Sequence, residues 1–370
     1  MIDVGFIGWR GMVGSVLMER MRAEGDFAKF NSHFFSTSQA GERAPNEGGQ
    51  NSVLHDAANI DALSKMDVIL TCQGGSYTKE IHPKLRSSGW SGYWVDAAST
   101  LRMADSSIIV LDPLNSEDIH SGLANGTRDF VGGNCTVSLM LLAMHGLLKA
   151  GLVNWISAMT YQAASGAGAN NMKELITQMG HIHRSVESSI EQDSPILDID
   201  EAVLSAMNSK EFPVSNFGLP LAGNLIPWID SDLGNGQSRE EWKAQAEGNK
   251  ILGTKDAVIP IDGLCVRIGA MRCHSQALTF NLKEELPTSE IEEMLDSANE
   301  WVKVIPNTRD NSIDRLSPVA VTRTLDIPIG RIRKMSIGRA CYSAFTVGDQ
   351  LLWGAAEPLR RMLKILVAQG

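Results

Sequence analysis

Cysteine is scarce in this chain and shows no paired spacing. Five occur among 370 residues, an odd number, and no two form a Cys-x-x-Cys pair. That argues against a disulfide framework and a structural zinc site, and it fits a reducing cytoplasm. Basic charge is also short: 33 lysines and arginines against 43 aspartates and glutamates leave a net charge of −10. Nucleic acid is therefore not an expected partner, because phosphate backbones want a basic surface. A few local arginines would still suffice for a small anion. No run of 18 apolar residues exists to span a membrane. The opening MIDVGFIG lacks the basic stretch and cleavage site of a secretory signal. There is no internal repeat or low-complexity tract. His181 and His183 are not four apart and lack a carboxylate partner motif, so no metal site is expected.

What is present describes a soluble globular protein of two or three domains, 43% hydrophobic and 21% charged. The segment MIDVGFIGWRGMVGSVLMERM reads as strand, glycine turn and helix. Gly8, Gly11 and Gly14 recur every three residues, and Val13, Val16, Leu17 and Met21 continue at helical spacing. Glycines suit a tight turn, a close approach to pyrophosphate and helix–strand packing, and the helix N-terminus supplies N–H donors. HFFSTS, MDVILTCQGG, GYWVDAAST and SIIVLDP are short apolar runs that end in small or polar residues, with helix-like stretches such as 77–87 between them. Strands alternating with helices predict a doubly wound parallel sheet. The second run ends Ser36-Thr37-Ser38 without a carboxylate, and Arg10 lies inside the glycine turn. That favours NADP over NAD; Arg10 as a solvated loop residue is the open alternative.

Further along, FVGGNCTVSLMLLAMHGLL places apolar residues at Val137, Leu141, Met144 and Leu148, a helical period. Asn134 is then the N-cap and Cys135 the first helical residue, where unpaired N–H groups and the helix dipole favour a thiolate. A small buried hydrophobe is the competing reading of Cys135, since free cysteine is usually buried. A strand ending at Gln162 leads into a small-residue loop, and 258–284 reads as antiparallel strands carrying Arg267 and His274. Seven apart on one flat strand, these two would face opposite sides, so a bend or bulge near Gly269 is expected to bring them to one pocket. Arg102, Glu240 and Lys243 are further candidates. The last helix, 351–367, contains Pro358 and is expected to pack on the first domain.

GFIGWRGMVGSVL, the Thr37-Ser38 strand end, Cys72-Gln73-Gly74-Gly75, DAASTLR, FVGGNCTVSL, TYQAASG, REEWK and RIGAMRCHSQ together resemble aspartate-semialdehyde dehydrogenase, most of all its bacterial form. The resemblance runs from Gly5 to the end of the chain. It implies a Rossmann-like doubly wound parallel sheet (1–133), an α+β catalytic and dimerisation domain (134–354) and a C-terminal helix (355–370) returning to the first. It makes Cys135 the nucleophile that holds an acyl thioester, His274 the acid–base residue and Gln162 the side chain that orients substrate. Arg267 would bind the substrate carboxylate, Glu240 its amino group, and Arg102 and Lys243 its phosphate, with Asn134 beside them. Gly8, Arg10, Gly11, Met12, Val13, Thr37, Ser38, Gln73, Ser165, Gly166, Ala167, Gly168, Ala169 and Gln350 match cofactor contacts.

The reaction so implied is reversible, NADPH-dependent reductive dephosphorylation of aspartyl phosphate to aspartate semialdehyde. It serves synthesis of lysine and diaminopimelate, methionine, threonine and isoleucine, in a cytoplasmic homodimer that takes a small-molecule substrate and inorganic phosphate. Helix N–H groups near Cys135 are expected to stabilise an oxyanion. Two departures stand out: Ala167 replaces an expected glycine, and 191–194 lacks an expected proline. The alternatives are another phosphorylating aldehyde dehydrogenase, of the glyceraldehyde phosphate or N-acetylglutamyl phosphate type, and a cofactor-binding redox sensor without turnover.

Overall fold

The computed structural model describes residues 1–48 and 52–369. Two seven-stranded sheets organise them. The first contains β1 (Asp3–Ile7), β2 (Asn31–Ser36), β3 (His55–Asp56), β4 (Val68–Thr71), β5 (Tyr93–Asp96), β6 (Ser107–Val110) and β7 (Asp129–Gly132), in the order β3-β2-β1-β4-β5-β7-β6. Every neighbouring pair is parallel. The helices around it are α1 (Met12–Ala23), α2 (Ile60–Leu63), α3 (Gly75–Ser87) and α4 (Asp112–Ala124). Because β2 and β4 lie on opposite sides of β1, the chain reverses its winding there. Ligands of doubly wound sheets bind at this switch point.

The glycine turn sits at that point. Gly8 has φ +71°, and a Cβ on it would lie 2.5 Å from the backbone nitrogen of Gln73 on the neighbouring strand connection. Only glycine meets both demands.

The second sheet is mixed. It contains β8 (Val153–Gln162), β9 (Leu225–Ile226), β10 (Ile261–Ile268), β11 (Cys273–Leu282), β12 (Val302–Val304), β13 (Ile327–Lys334) and β14 (Cys341–Asp349), ordered β12-β13-β14-β11-β8-β10-β9. The remaining helices are α5 (Cys135–Ala143), α6 (His145–Lys149), α7 (Ala169–Glu191), α8 (Ile196–Met207), α9 (Arg239–Ile251), α10 (Thr288–Asp296), α11 (Arg309–Arg315), α12 (Pro318–Val321) and α13 (Glu357–Gln369). Helix α5 is buried along its length, in a core that joins Ile109 and Val131 of the first sheet to Ile156, Leu278 and Phe280 of the second. The nucleophile candidate thus starts a helix wedged between the two sheets.

The expectation for Arg267 and His274 needs correction. β10 and β11 do not pair with each other, and no bulge joins them. β10 pairs with β8 in parallel and β11 pairs with β8 antiparallel, so they flank it. The connection passes the carboxyl end of β8. That crossing puts the end of β10 and the start of β11 at the level of Gln162.

Helix α13 packs on the first sheet. Leu359, Met362, Leu363 and Leu366 share a core with Val4, Phe6, Val95 and Phe130. Pro358 stands in the first helical turn, where its missing N–H costs nothing. A widened turn over Leu352–Ala356 precedes the helix. Arg360 donates through Nε to Asp26 (2.6 Å) and through a terminal nitrogen to Glu357 (2.8 Å), all three side chains being buried. Removing one member of a buried ion network leaves charge without compensation. Arg360→Met should therefore lower the unfolding free energy by about 3 kcal/mol. The check is a reduced urea midpoint at unchanged slope, and a shift within about 0.5 kcal/mol would show the network to be incidental.

Candidate active site

Asn134 caps α5 as its sequence predicts. Its side-chain oxygen accepts from the backbone N–H of Thr136 (2.9 Å) and Val137 (3.2 Å), and from the Thr136 hydroxyl (2.7 Å). Cys135 is therefore the first helical residue. The same cap engages two of the helix-mouth N–H groups, those of Thr136 and Val137.

Cys135 Sγ lies 3.2 Å from His274 Nε2. The other ring nitrogen, Nδ1, is 3.0 Å from the backbone N–H of Ala163. A backbone N–H can only donate, so Nδ1 accepts and the neutral ring carries its proton on Nε2, directed at the sulfur. Burial, with Arg267 adding to it, pushes the imidazole down to about 3. Burial also pushes the Cys135 thiol up to about 12, with Glu240 adding and Arg267, Arg102 and the Thr136 N–H opposing. The sequence predicts a thiolate at this helix mouth. Burial opposes that ionisation, while Arg267, Arg102 and the Thr136 N–H favour it.

Three strands align the other groups. Arg267 on β10 is in register with Gln162 on β8, and Ser275 on β11 with Tyr161, so Arg267, Gln162 and His274 stand abreast. Arg267 donates to the Ala163 carbonyl (2.8 Å). Ala163 thus holds the arginine through its oxygen and the histidine through its nitrogen. Gln162 donates to Glu240 (3.2 Å), and so does the Asn134 amide (2.9 Å). Lys243 lies 2.9 Å from the other Glu240 oxygen and 2.7 Å from Asp230. Burial alone would raise the Glu240 carboxyl, but Lys243 and the two amides outweigh it and hold it below its usual range.

These side chains surround one cavity of about 500 Å³. Arg102, Asn134, Cys135, Gln162, Glu240, Lys243 and Arg267 line it, and His274 lies fully buried behind Cys135. Of the predicted cofactor residues, Met12, Val13, Ser165, Gly166, Ala167, Gly168 and Gln350 also line it. The rest do not. Gly8 and Gly11 form the β1–α1 turn, Gln73 follows β4, and Ala169 begins α7. Thr37 and Ser38 are exposed just past β2, and Arg10 reaches Ser36 Oγ at 2.8 Å while stacking on Trp9. Asp56 on β3 lies opposite Ser36, its carboxylate accepting from the Ala58 N–H. Gln350 donates to the Ser165 hydroxyl (2.8 Å), tying the end of β14 to the small-residue loop. Cys273 turns away from the cavity into a cluster with Val321 and Val347. Among the described residues, no group of three or more His, Cys, Asp or Glu could hold a metal ion.

Three contributors escape the sequence reading. Asp230 lines the cavity at a left-handed φ of +72°, and no sequence signal marks it. Gly354 lies so close that a Cβ would be 2.6 Å from that of Cys135. Glu247 accepts from both Arg102 (3.3 Å) and the Asn134 backbone N–H (2.7 Å). It had a signal, since it follows Glu240 and Lys243 on one face of α9.

Comparison with known proteins bears on the family and the fold. A family model described as the NAD binding domain of semialdehyde dehydrogenase matches residues 3–122, and one described as its dimerisation domain matches 144–353. The solved structure of aspartate-semialdehyde dehydrogenase from Francisella tularensis is 51% identical, with a TM-score of 0.94 over 99% of this chain and 100% of that one. Aspartate-semialdehyde dehydrogenase II from Vibrio cholerae, solved in complex with ASA, shares the fold at 20% identity and a TM-score of 0.79, covering 100% and 98%. The enzyme from Candida albicans, solved with NADP, shares the fold at 15% identity and a TM-score of 0.66, covering 100% and 99%. A nucleophile candidate wedged between a dinucleotide-type sheet and a mixed second sheet, with a sequence half identical to one such enzyme along its length, establishes that this chain belongs to the aspartate-semialdehyde dehydrogenase family.

Proposed function

We propose that the protein catalyses NADPH-dependent reductive dephosphorylation of aspartyl phosphate to aspartate semialdehyde, reversibly, through an acyl thioester on Cys135. The observation that carries this reading is the 3.2 Å contact of Cys135 with His274 in a cavity that also holds two arginines and the Glu240 carboxylate. Arg267 suits the substrate carboxylate, Glu240 its ammonium, and Arg102 with Lys243 its phosphate. A carboxylate aimed at an amino group argues against glyceraldehyde phosphate and N-acetylglutamyl phosphate, which present no free amine. Among the described residues all five cysteines are free thiols, which argues against a disulfide-forming sensor.

In the biosynthetic direction the sulfur bonds to the acyl carbon as the carbon–oxygen bond to phosphate breaks, and the departing phosphate takes up the thiol proton and leaves toward Arg102 and Lys243. His274 keeps its proton on Nε2, and this N–H donates to the sulfur whenever negative charge gathers there. When the tetrahedral thiohemiacetal collapses, the departing sulfur returns to that donor. Gln162 and the abutting Gly354 backbone restrict where the acyl group can lie.

The residues at the glycine turn fit a dinucleotide. Gly8 leaves room that a Cβ would fill, and Met12 and Val13, whose first-turn N–H groups have no intrahelical partner, line the cavity. When bound, NADPH supplies the hydride. Arg10 beside Ser36 favours a 2′-phosphate, and Asp56 is turned to its own turn.

The division at 133/134 and 354/355 follows the two sheets, and the assembly is proposed to be a homodimer. One face of the second sheet leaves Met159, Tyr161, Val266 and Phe345 half-exposed and Leu264 exposed. No residue of α8 is buried, and Ile196, Leu197 and Leu204 are exposed. Apolar surface of this extent fits a partner subunit. Among the described residues no helix is long and apolar enough to cross a membrane. The reading keeps the cytoplasm as the site of action and amino-acid biosynthesis as the role.

Absorbance at the nicotinamide band, with aspartate semialdehyde, phosphate and NADP, tests the reaction. Cys135→Ser should abolish turnover while NADPH still binds, and retained turnover would remove the nucleophile. Arg10→Ala should raise the KM for NADPH about tenfold or more, as loss of a charged hydrogen bond does, and change that for NADH little. Equal effects on both would end the NADP argument. Because burial raises the thiol, iodoacetamide alkylation of Cys135 in ligand-free enzyme should speed up about tenfold per pH unit from 7 to 9. Glu240→Gln, which removes an anion that raises the thiol, should move this profile to lower pH; a wild-type plateau already at pH 7 would mean a resting thiolate.

A further inference from the structure

We propose that Glu247 is a positioning residue that fixes the anion-binding Arg102 and the nucleophile helix as one unit. The proposal rests on the reading of Arg102 as a phosphate ligand. Glu247 lies on α9 seven residues after Glu240 and four after Lys243, on the same face, one turn further from the substrate. Its side chain is 2% exposed, and Arg102 is its one ion-pair partner among the described residues. One carboxylate oxygen accepts from an Arg102 terminal nitrogen at 3.3 Å, and the other accepts from the Asn134 backbone N–H at 2.7 Å. Asn134 is the N-cap that places Cys135 at the start of α5.

Arg102 is gripped elsewhere too. Its Nε donates to the Gly132 carbonyl (2.6 Å), and its second terminal nitrogen donates to the Ala97 carbonyl (3.3 Å). Lys250, three residues beyond Glu247 on α9, holds the Arg102 carbonyl at 2.6 Å. A guanidinium has five N–H donors. The three contacts leave one on each terminal nitrogen for an oxyanion, in a plane fixed by its surroundings. Glu247, like the Gly132 carbonyl, ties the guanidinium to the backbone segment that leads into Cys135, so the anion seat and the sulfur are held through one stretch of chain.

Glutamine at this position keeps the shape and an acceptor for the short Asn134 contact. Its amide N–H would then face the Arg102 N–H, two donors opposed, and the guanidinium must turn away. Glu247→Gln should raise the KM for inorganic phosphate about tenfold in the oxidative direction, the size expected for losing one charged hydrogen bond. The KM for aspartate semialdehyde should stay within about twofold, because Arg267 and Glu240 keep their partners. A purely structural residue would move both constants together or neither.

Calorimetric titration of wild type and variant with inorganic phosphate, without semialdehyde or NADP, reads the same site independently of turnover. A matching rise in Kd supports the proposal. An unchanged or lower phosphate KM and Kd overturns it, as does an equal change for both substrates. If the wild type binds phosphate but does not turn over the semialdehyde, the assigned reaction falls, and the Kd ratio still judges Glu247. Wild type that takes up no phosphate overturns both. Should Glu247→Gln fail to fold, Glu247→Asp, which draws the carboxylate back by one methylene, must show the same split.

Discussion

A single backbone N–H sets the chemistry of the site. Because Ala163 N–H points at Nδ1 of His274, that nitrogen must accept, and the one proton of the neutral ring is left on Nε2 against the sulfur. The same residue's carbonyl takes the Arg267 guanidinium. Both contacts exist because β8 ends between β10 and β11, so its next residue lies within reach of each. The sheet order is therefore a chemical constraint, and the imidazole is placed as a donor to sulfur.

Charge around the cavity is arranged as a chain of opposite signs. Asp230, Lys243 and Glu240 follow one another within hydrogen-bond reach, and Glu240 meets the neutral amides of Asn134 and Gln162. Arg102 and Glu247 form a second, separate pair. The proposed substrate, with an ammonium, a carboxylate and a phosphate, would carry the complementary pattern. The groups are ordered before anything binds, which reduces the entropy lost on association.

Much of this could be read from the chain because the signals were local. The glycine spacing of 8, 11 and 14, the polar ends of β2, β4 and β5, and Asn134 before Cys135 depend on residues within one or two turns of each other. What sequence missed was non-local. The pairing of β10 with β8 rather than with β11 is set by contacts about a hundred residues apart, so Arg267 and His274 appeared to need a bulge. Burial by the surrounding core opposes ionisation of Cys135, and no motif near the cysteine reports it. Glu247 lay in plain sight on the face of α9, but a charged residue three or four places from another usually marks a solvated face. Asp230 offered no clue, since its left-handed backbone is a property of the loop.

The return of α13 to the first sheet has a consequence for biosynthesis of the protein itself. Leu359, Met362, Leu363 and Leu366 complete a hydrophobic layer whose first-sheet members, such as Val4, Phe6, Val95 and Phe130, were made more than two hundred residues earlier. A nascent chain emerging from the ribosome carries that open layer through the whole synthesis of the second sheet. It can close the layer only after α13 has left the ribosome, so the first sheet gains this apolar cover after the second sheet has been made.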